Sequence, residues 1–184
     1  MVKEGYKDNA IAMIKALSNL FRYGLSRGEI IISIREEIEY AKSYANIINL
    51  RYKNKIEFKW NIDEKILDYK TVKLILQPVI ENSIYHGVNK VERHGVIEIS
   101  CVNAGENIEY RVKDNGAGIS EDALQLLRKS LSEPGLGNRI GIYNVRSRLR
   151  LYFGKRFELA IRSTKGEGME VTITIPKITD ILTG

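Results

Sequence analysis

Apolar residues change their period near residue 55, and this change restricts the fold more than any other feature of the chain. Before it they recur at helical spacing; after it, alternating and helical runs take turns. Residues 8–25 place Ala10, Ile14, Leu17, Phe21 and Gly24 on one stripe, with Asp8 or Asn9 positioned to cap the first turn. Gly24 and Ser26-Arg27-Gly28 break that helix. A second helix starts near Ser33, whose hydroxyl is spaced to form a capping box with Glu36. It carries Ile34, Ile38, Ala41, Ala45 and Ile48 at steps of four and three, a coiled-coil-like seam. Two such helices are too small to bury both stripes alone. A helical bundle is expected, completed by further sequence or by a second chain.

Past the change, Ile56-Phe58-Trp60-Ile62 alternates and reads as a strand with one buried face. Tyr69 to His86 returns to helical spacing around Pro78, which lacks an amide donor, so the helix kinks or restarts there. Ile97-Ile99-Cys101 and Ile108-Tyr110-Val112 form a hairpin about Asn103-Ala104-Gly105. Ile142, Val145, Leu149 and Tyr152 mark another helix. Leu159-Ile161 and Val171-Ile173-Ile175 close the chain as a hairpin about Gly166-Glu167-Gly168, ended by Pro176. Helices mixed with hairpins imply an α+β fold, with helices covering one face of a largely antiparallel sheet.

The formal net charge of +6 raises the question of nucleic acid, but the basic residues are interleaved with 23 acids. The densest cluster, Arg146-Arg148-Arg150, alternates with apolar residues as the solvated face of a helix would. No basic stripe remains for a nucleic-acid partner. No window approaches the ~18 uncharged apolar residues of a membrane span, and no signal-peptide pattern opens the chain. The one cysteine, Cys101, lies within an alternating run and reads as a small buried side chain in a reducing compartment.

Three stretches carry chemistry: Glu81-Asn82-Ser83-Ile84-Tyr85-His86-Gly87, Asp114-Asn115-Gly116-Ala117-Gly118 and Gly135-Leu136-Gly137-Asn138-Arg139-Ile140-Gly141. Asn82 and His86 are four apart and share a helix face. In isolation they would pass for surface residues at a helix end. An amide oxygen at Asn82 nevertheless suits Mg²⁺, which takes hard oxygen ligands and leaves other positions to phosphates and water. Tyr85 or His86 would add a ring or a polar edge. Asp114 ends a strand, where a carboxylate can accept a hydrogen bond from an exocyclic amine such as adenine's. Gly116 and Gly118 permit close backbone approach; a plain Asp-Asn-Gly turn would need neither the second glycine nor Ile119 after it. Residues 120–140 make a long loop of the kind that forms lids, with a helical stretch at Asp122–Leu131. Gly141 then opens a helix at Ile142 whose first amides would favour a phosphate. Neither a dinucleotide fingerprint nor a Gly-Lys-Ser/Thr phosphate loop occurs.

Leu76–Gly87, Asp114–Gly118 and Gly141-Ile142-Tyr143-Asn144-Val145 resemble the N, G1 and G2 boxes of sensor histidine kinases of the LytS/YesM type. Ala16–Tyr23 and Arg35–Ile38 resemble that subfamily's helical segment. The resemblance implies a Bergerat-type two-layer α/β sandwich over residues 53–184, preceded by a helical dimerisation segment over residues 1–52. It implies ATP and Mg²⁺ as cofactors, with Asn82 the metal ligand and Asp114 the acceptor of the adenine amine. Gly116 and Gly118 would lie under the base, with Ile119 after them. Gly137 and Gly141 would flank the phosphates beneath a lid, with Gly168 near by. It further implies a homodimer, a cognate response regulator as partner, and a place on the cytoplasmic side of the membrane for a whole protein anchored there.

Four departures qualify the resemblance. The phosphoacceptor histidine of the family lies in an Asn-Pro-His-Phe motif, and neither histidine here, His86 or His94, has that setting. The expectation is a fragment that starts after the acceptor and does not autophosphorylate in the usual way. Arg139 stands where the lid pattern has a third glycine, either binding phosphate or stiffening the lid. Met169 replaces a threonine after Gly168, removing a hydroxyl expected near the phosphates. Pro78 stands where hydrolytic relatives carry a glutamate base, which favours phosphoryl donation over hydrolysis.

Overall fold

The computed structural model describes residues 30–52, 55–132 and 141–179. The helix expected at residues 8–25 and the glycine-rich stretch through Gly137 and Arg139 lie outside the described residues.

Strand β1 (Ile31–Ser33) runs straight into helix α1 (Ile34–Arg51), where Ser33 and Glu36 make the reciprocal capping box that their spacing predicts. Strand β2 (Ile56–Ile62) and the short β3 (Lys70–Val72) follow, then helix α2 (Leu76–Asn82) and a wide π-type turn over Ser83–Gly87. Strands β4 (Gly95–Ala104) and β5 (Asn107–Asp114) form the first hairpin. Helices α3 (Glu121–Ser132) and α4 (Ile142–Phe153) precede the second hairpin, β6 (Glu158–Thr164) with β7 (Gly168–Pro176). The main sheet has the order β2-β4-β5-β7-β6, parallel only between β2 and β4; β1 and β3 form a separate antiparallel pair.

Alternation decides which face of the sheet is covered. Ile97, Ile99 and Cys101 on β4, Ile108, Tyr110 and Val112 on β5, and Val171, Ile173 and Ile175 on β7 are all buried. They join Leu76 and Ile80 of α2 and Val145 and Leu149 of α4 in one hydrophobic cluster. This is the mixed, mostly antiparallel two-layer sandwich expected from the sequence. Cys101 is a free, buried thiol whose pKa burial pushes up, as its place in an alternating run predicts.

Two expectations need correction. The stripe of α1 does not await a bundle: Ile34, Ile38, Ala41 and Ile48 enter the same cluster as the sheet and α2, so this chain covers its own seam. The periodicity change near residue 55 falls inside that continuous core. Nor is 69–86 one helix. Residues 70–72 pair with β1, and the helix begins only at Leu76. Pro78 then sits in the first turn of α2, where its missing amide would have had no helical partner, so nothing kinks.

Candidate functional site

A cavity of about 820 Å³ opens between α2, α3, α4 and the ends of β5 and β7, within the ~300–1,000 Å³ span of small-molecule pockets. Asn82, Tyr85, His86, Asp114, Gly118, Ile119, Gly141 and Ile142, all singled out from the sequence, line it. Gly116 and Gly168 do not line it but pack behind Asp114. Gly137 lies outside the described residues.

Asp114 is only 3% exposed. It continues the buried parity of Ile108, Tyr110 and Val112, so strand pleating delivers a carboxylate to the core face just where β5 ends. Its Oδ1 accepts the Gly116 amide at 2.9 Å, and Ser83 and the Met169 backbone also bond to the carboxylate. Burial is the largest influence on its pKa and raises it, with those three bonds opposing. A raised folded pKa means that the group's contribution to stability is present below its usual 3.8 and lost as pH rises through the folded value. At neutral pH the buried charge is therefore a standing cost to the fold.

Backbone fills the space beneath the carboxylate. A Cβ on Gly87 would lie 2.7 Å from Asp114 Oδ1, and one on Gly116 would lie 2.2 Å from the Gly87 carbonyl carbon. Gly118 has φ +57°, and a Cβ there would come within 2.0 Å of the Thr164 carbonyl oxygen. Asn82 also lines the cavity, and a Cβ on Gly141 would approach its amide nitrogen to 3.2 Å. Gly141 has no side chain with which to cap α4, so the first amides of that helix carry no side-chain cap.

Several contributors escaped the sequence reading. Gly87 was quoted in the first stretch but given no role; its bare Cα faces the Asp114 carboxylate. Arg93 grips the turn after β5 from outside, donating to the Asn115, Gly116 and Gly166 carbonyl oxygens. Asn115 bonds both the Val96 amide (2.8 Å) and the His94 carbonyl (3.0 Å). Ser163 Oγ accepts the Ile119 amide and donates to the Gly168 carbonyl. No local spacing announces Arg93 or Ser163, because both act across long sequence separations. Arg148, read as part of a solvated face, borders the cavity and donates to the Lys73 carbonyl. Leu127 and Leu131 wall the cavity from α3, the helical stretch expected at Asp122–Leu131. Met169 pairs in register with Asp114 and lines the cavity with it.

Among the described residues, no three His, Cys, Asp or Glu side chains converge as a metal site, and no helix is long and apolar enough to cross a membrane.

The sequence model of the histidine kinase-, DNA gyrase B-, and HSP90-like ATPase family matches residues 67–179, and that of the histidine kinase family matches residues 1–56. Sensor protein LytS of Bacillus cereus is 30% identical over 171 residues, covering 92% of this chain and 29% of LytS. Sensor histidine kinase YesM of Bacillus subtilis is 30% identical over 176 residues, covering 96% of this chain and 29% of YesM. The chain thus spans under a third of these curated relatives. Full-length ShkA, solved in complex with AMPPNP, superimposes with a TM-score of 0.58 at 18% identity, over 96% of this chain and 38% of that one. At that identity the likeness speaks for the fold.

Proposed function

We propose that this chain, which belongs to the histidine kinase-, DNA gyrase B-, and HSP90-like ATPase family, is the ATP-binding catalytic module of a sensor histidine kinase. One observation carries the reading: a nearly buried carboxylate at a strand end, fixed by three hydrogen bonds, facing a cavity large enough for a nucleotide. Burying an ion without a cationic partner costs stability, and a ligand's amine is the use that would justify it.

Bound ATP supplies the transferable γ-phosphoryl group. The chain's own residues bind and orient it. Asp114 would accept a hydrogen bond from the exocyclic amine of adenine, and Gly118, Ile119 and Met169, which line the cavity, would enclose the base. The uncapped amides after Gly141 favour phosphate oxygens. Asn82 offers an amide oxygen to Mg²⁺, with the phosphates completing the coordination. Such chemistry depends on positioning and charge neutralisation more than on a protein nucleophile. Neither His86 nor His94 lies in the family's Asn-Pro-His-Phe setting, so the accepting histidine would come from outside the site, and a response-regulator aspartate would receive the phosphoryl group next. Pro78, four residues before Asn82, offers no general base, which favours donation over hydrolysis.

Because β1 pairs with β3 and α1 packs into the common core, the catalytic module takes in residues from Ile31 onward. The dimerisation segment proposed over residues 1–52 would then share its core with that module, and the homodimer would form through that segment. The module faces the cytoplasm in a membrane-anchored kinase.

Equilibrium titration with AMP-PNP tests the reading. Saturable binding that strengthens with MgCl₂ is expected, and Asn82→Ala is expected to remove most of that Mg²⁺ enhancement, about tenfold or more. Absence of saturable binding by the wild type defeats the proposal. A second expectation concerns pH. The acceptor must be ionised, so affinity should fall as pH is lowered through the raised pKa of Asp114; a pH-independent affinity down to about pH 4 would contradict that role.

A further inference from the structure

Helix α1 holds helix α2 at two polar points that stand apart from the apolar packing around them. At the start of α2, the amides of Leu74, Ile75 and Leu76 all donate to the Glu37 carboxylate at 2.8 Å. Leu74 has φ +62°, a left-handed conformation that is uncommon for leucine. It turns three successive amides toward one anion, a backbone nest filled by a side chain of the same protein. Glu37 is fully buried. Burial raises its pKa, while the three amides and the charge of Arg148 oppose that rise.

The second point lies two turns along α1. Tyr44 is seven residues after Glu37 and so projects from the same side of the helix. Its hydroxyl lies beside the Glu81 and Tyr85 side chains, the residues that bracket Asn82. Neither Glu37 nor Tyr44 lines the cavity. Together they tie both ends of the helix that presents the Asn82 amide.

The choice of a carboxylate is informative on energetic grounds. Ile34, Ile38, Ala41 and Ile48 already anchor α1 by apolar burial. A buried ion, even when fully bonded, adds little net stability over an apolar replacement, because desolvation offsets its attraction. What it does add is geometry: three donors and one carboxylate admit a single relative placement of α1 and α2.

We propose that Glu37 and Tyr44 are positioning residues for the nucleotide site. Through α2 they set where the Asn82 amide stands, so a displacement of α1 becomes a change in metal-dependent nucleotide affinity. The inference rests on the nucleotide reading above. Helix α1 follows directly on residues before 30, within the span 1–56 that matches the histidine kinase family. It is therefore the element through which movement upstream would reach the site.

The test compares the 184-residue wild type with Glu37→Gln and Tyr44→Phe by two measurements. The first is AMP-PNP affinity in MgCl₂ and in EDTA. The second is amide hydrogen exchange without nucleotide. Glu37→Gln is expected to cut the Mg²⁺ enhancement about tenfold while changing the EDTA affinity by no more than about twofold. The amides of residues 74–87 should exchange faster, with those of β4 and β5 unchanged. Tyr44→Phe should repeat the pattern more weakly, and it decides the matter if Glu37→Gln does not fold. A wild-type ratio of the two affinities in both variants overturns the inference, as does exchange that rises evenly throughout the chain. If the wild type binds no AMP-PNP, the nucleotide reading falls and takes this inference with it. If the wild type binds but the ratio does not move, only this inference falls.

Discussion

Asp114→Asn is expected to weaken AMP-PNP binding about 100-fold while the protein stays folded. The carboxylate accepts from Gly116, Ser83 and Met169 and, on the reading proposed above, would accept from the adenine amine of bound ATP. An amide side chain turns one of its two accepting oxygens into a donor that faces other donors. Losing a charge-assisted bond and leaving a donor unsatisfied costs about 1–3 kcal/mol, and 2.7 kcal/mol is about 100-fold in affinity. Removing a buried charge also relieves the desolvation that raises the pKa of Asp114, so the unliganded variant should melt within a few degrees of the wild type. Calorimetric titration beside a thermal melt measures both effects. An affinity within threefold of the wild type would mean that the base is not read by this residue.

Gly116→Ala should act on the fold and on binding together. The new methyl group would stand 2.2 Å from the Gly87 carbonyl carbon and 2.4 Å from its Cα, and backbone cannot yield as a flexible side chain would. Gly87 in turn touches the Asp114 carboxylate, so relieving the clash moves the turn after α2 away from the acceptor. A loss of about 3 kcal/mol or more is expected, at the high end for single substitutions. For a chain of this size that lowers the Tm by roughly 10 °C. Gly105→Ala makes the control. Gly105 has φ +70° but nothing within 4 Å of its Cβ position, so only the backbone strain of about 1 kcal/mol applies and nucleotide affinity should not change. Equal losses from the two substitutions would show that the 87–116 contact has no special role.

How far the sequence can be read depended on whether a contact was local. The capping box of Ser33 and Glu36 and the β4–β5 and β6–β7 hairpins all involve neighbours along the chain. Such features leave a period or a spacing behind, and each was read in advance. Helix α2 was misjudged at its start for a complementary reason. Residues 69–75 have helical spacing, but Glu37 and strand β1, both distant in sequence, draw that backbone into a strand and a left-handed turn. The stripe of α1 was read correctly as a buried face and assigned to the wrong partner, since periodicity says that a face is covered but not by what.

The amino-acid sequence alone thus determined the two hairpins, the helices on either side of them, and the residue types gathered at the site: an amide on a helix, a carboxylate at a strand end, and glycines about both. Only the tertiary structure decided that α1 seals against its own sheet, that Arg93 and Ser163 brace the glycine turn from outside, and that Met169 pairs with Asp114. These are matters of strand register and of helices docking across long sequence separations. They follow from how all the elements pack at once, and no single stretch of the chain encodes them.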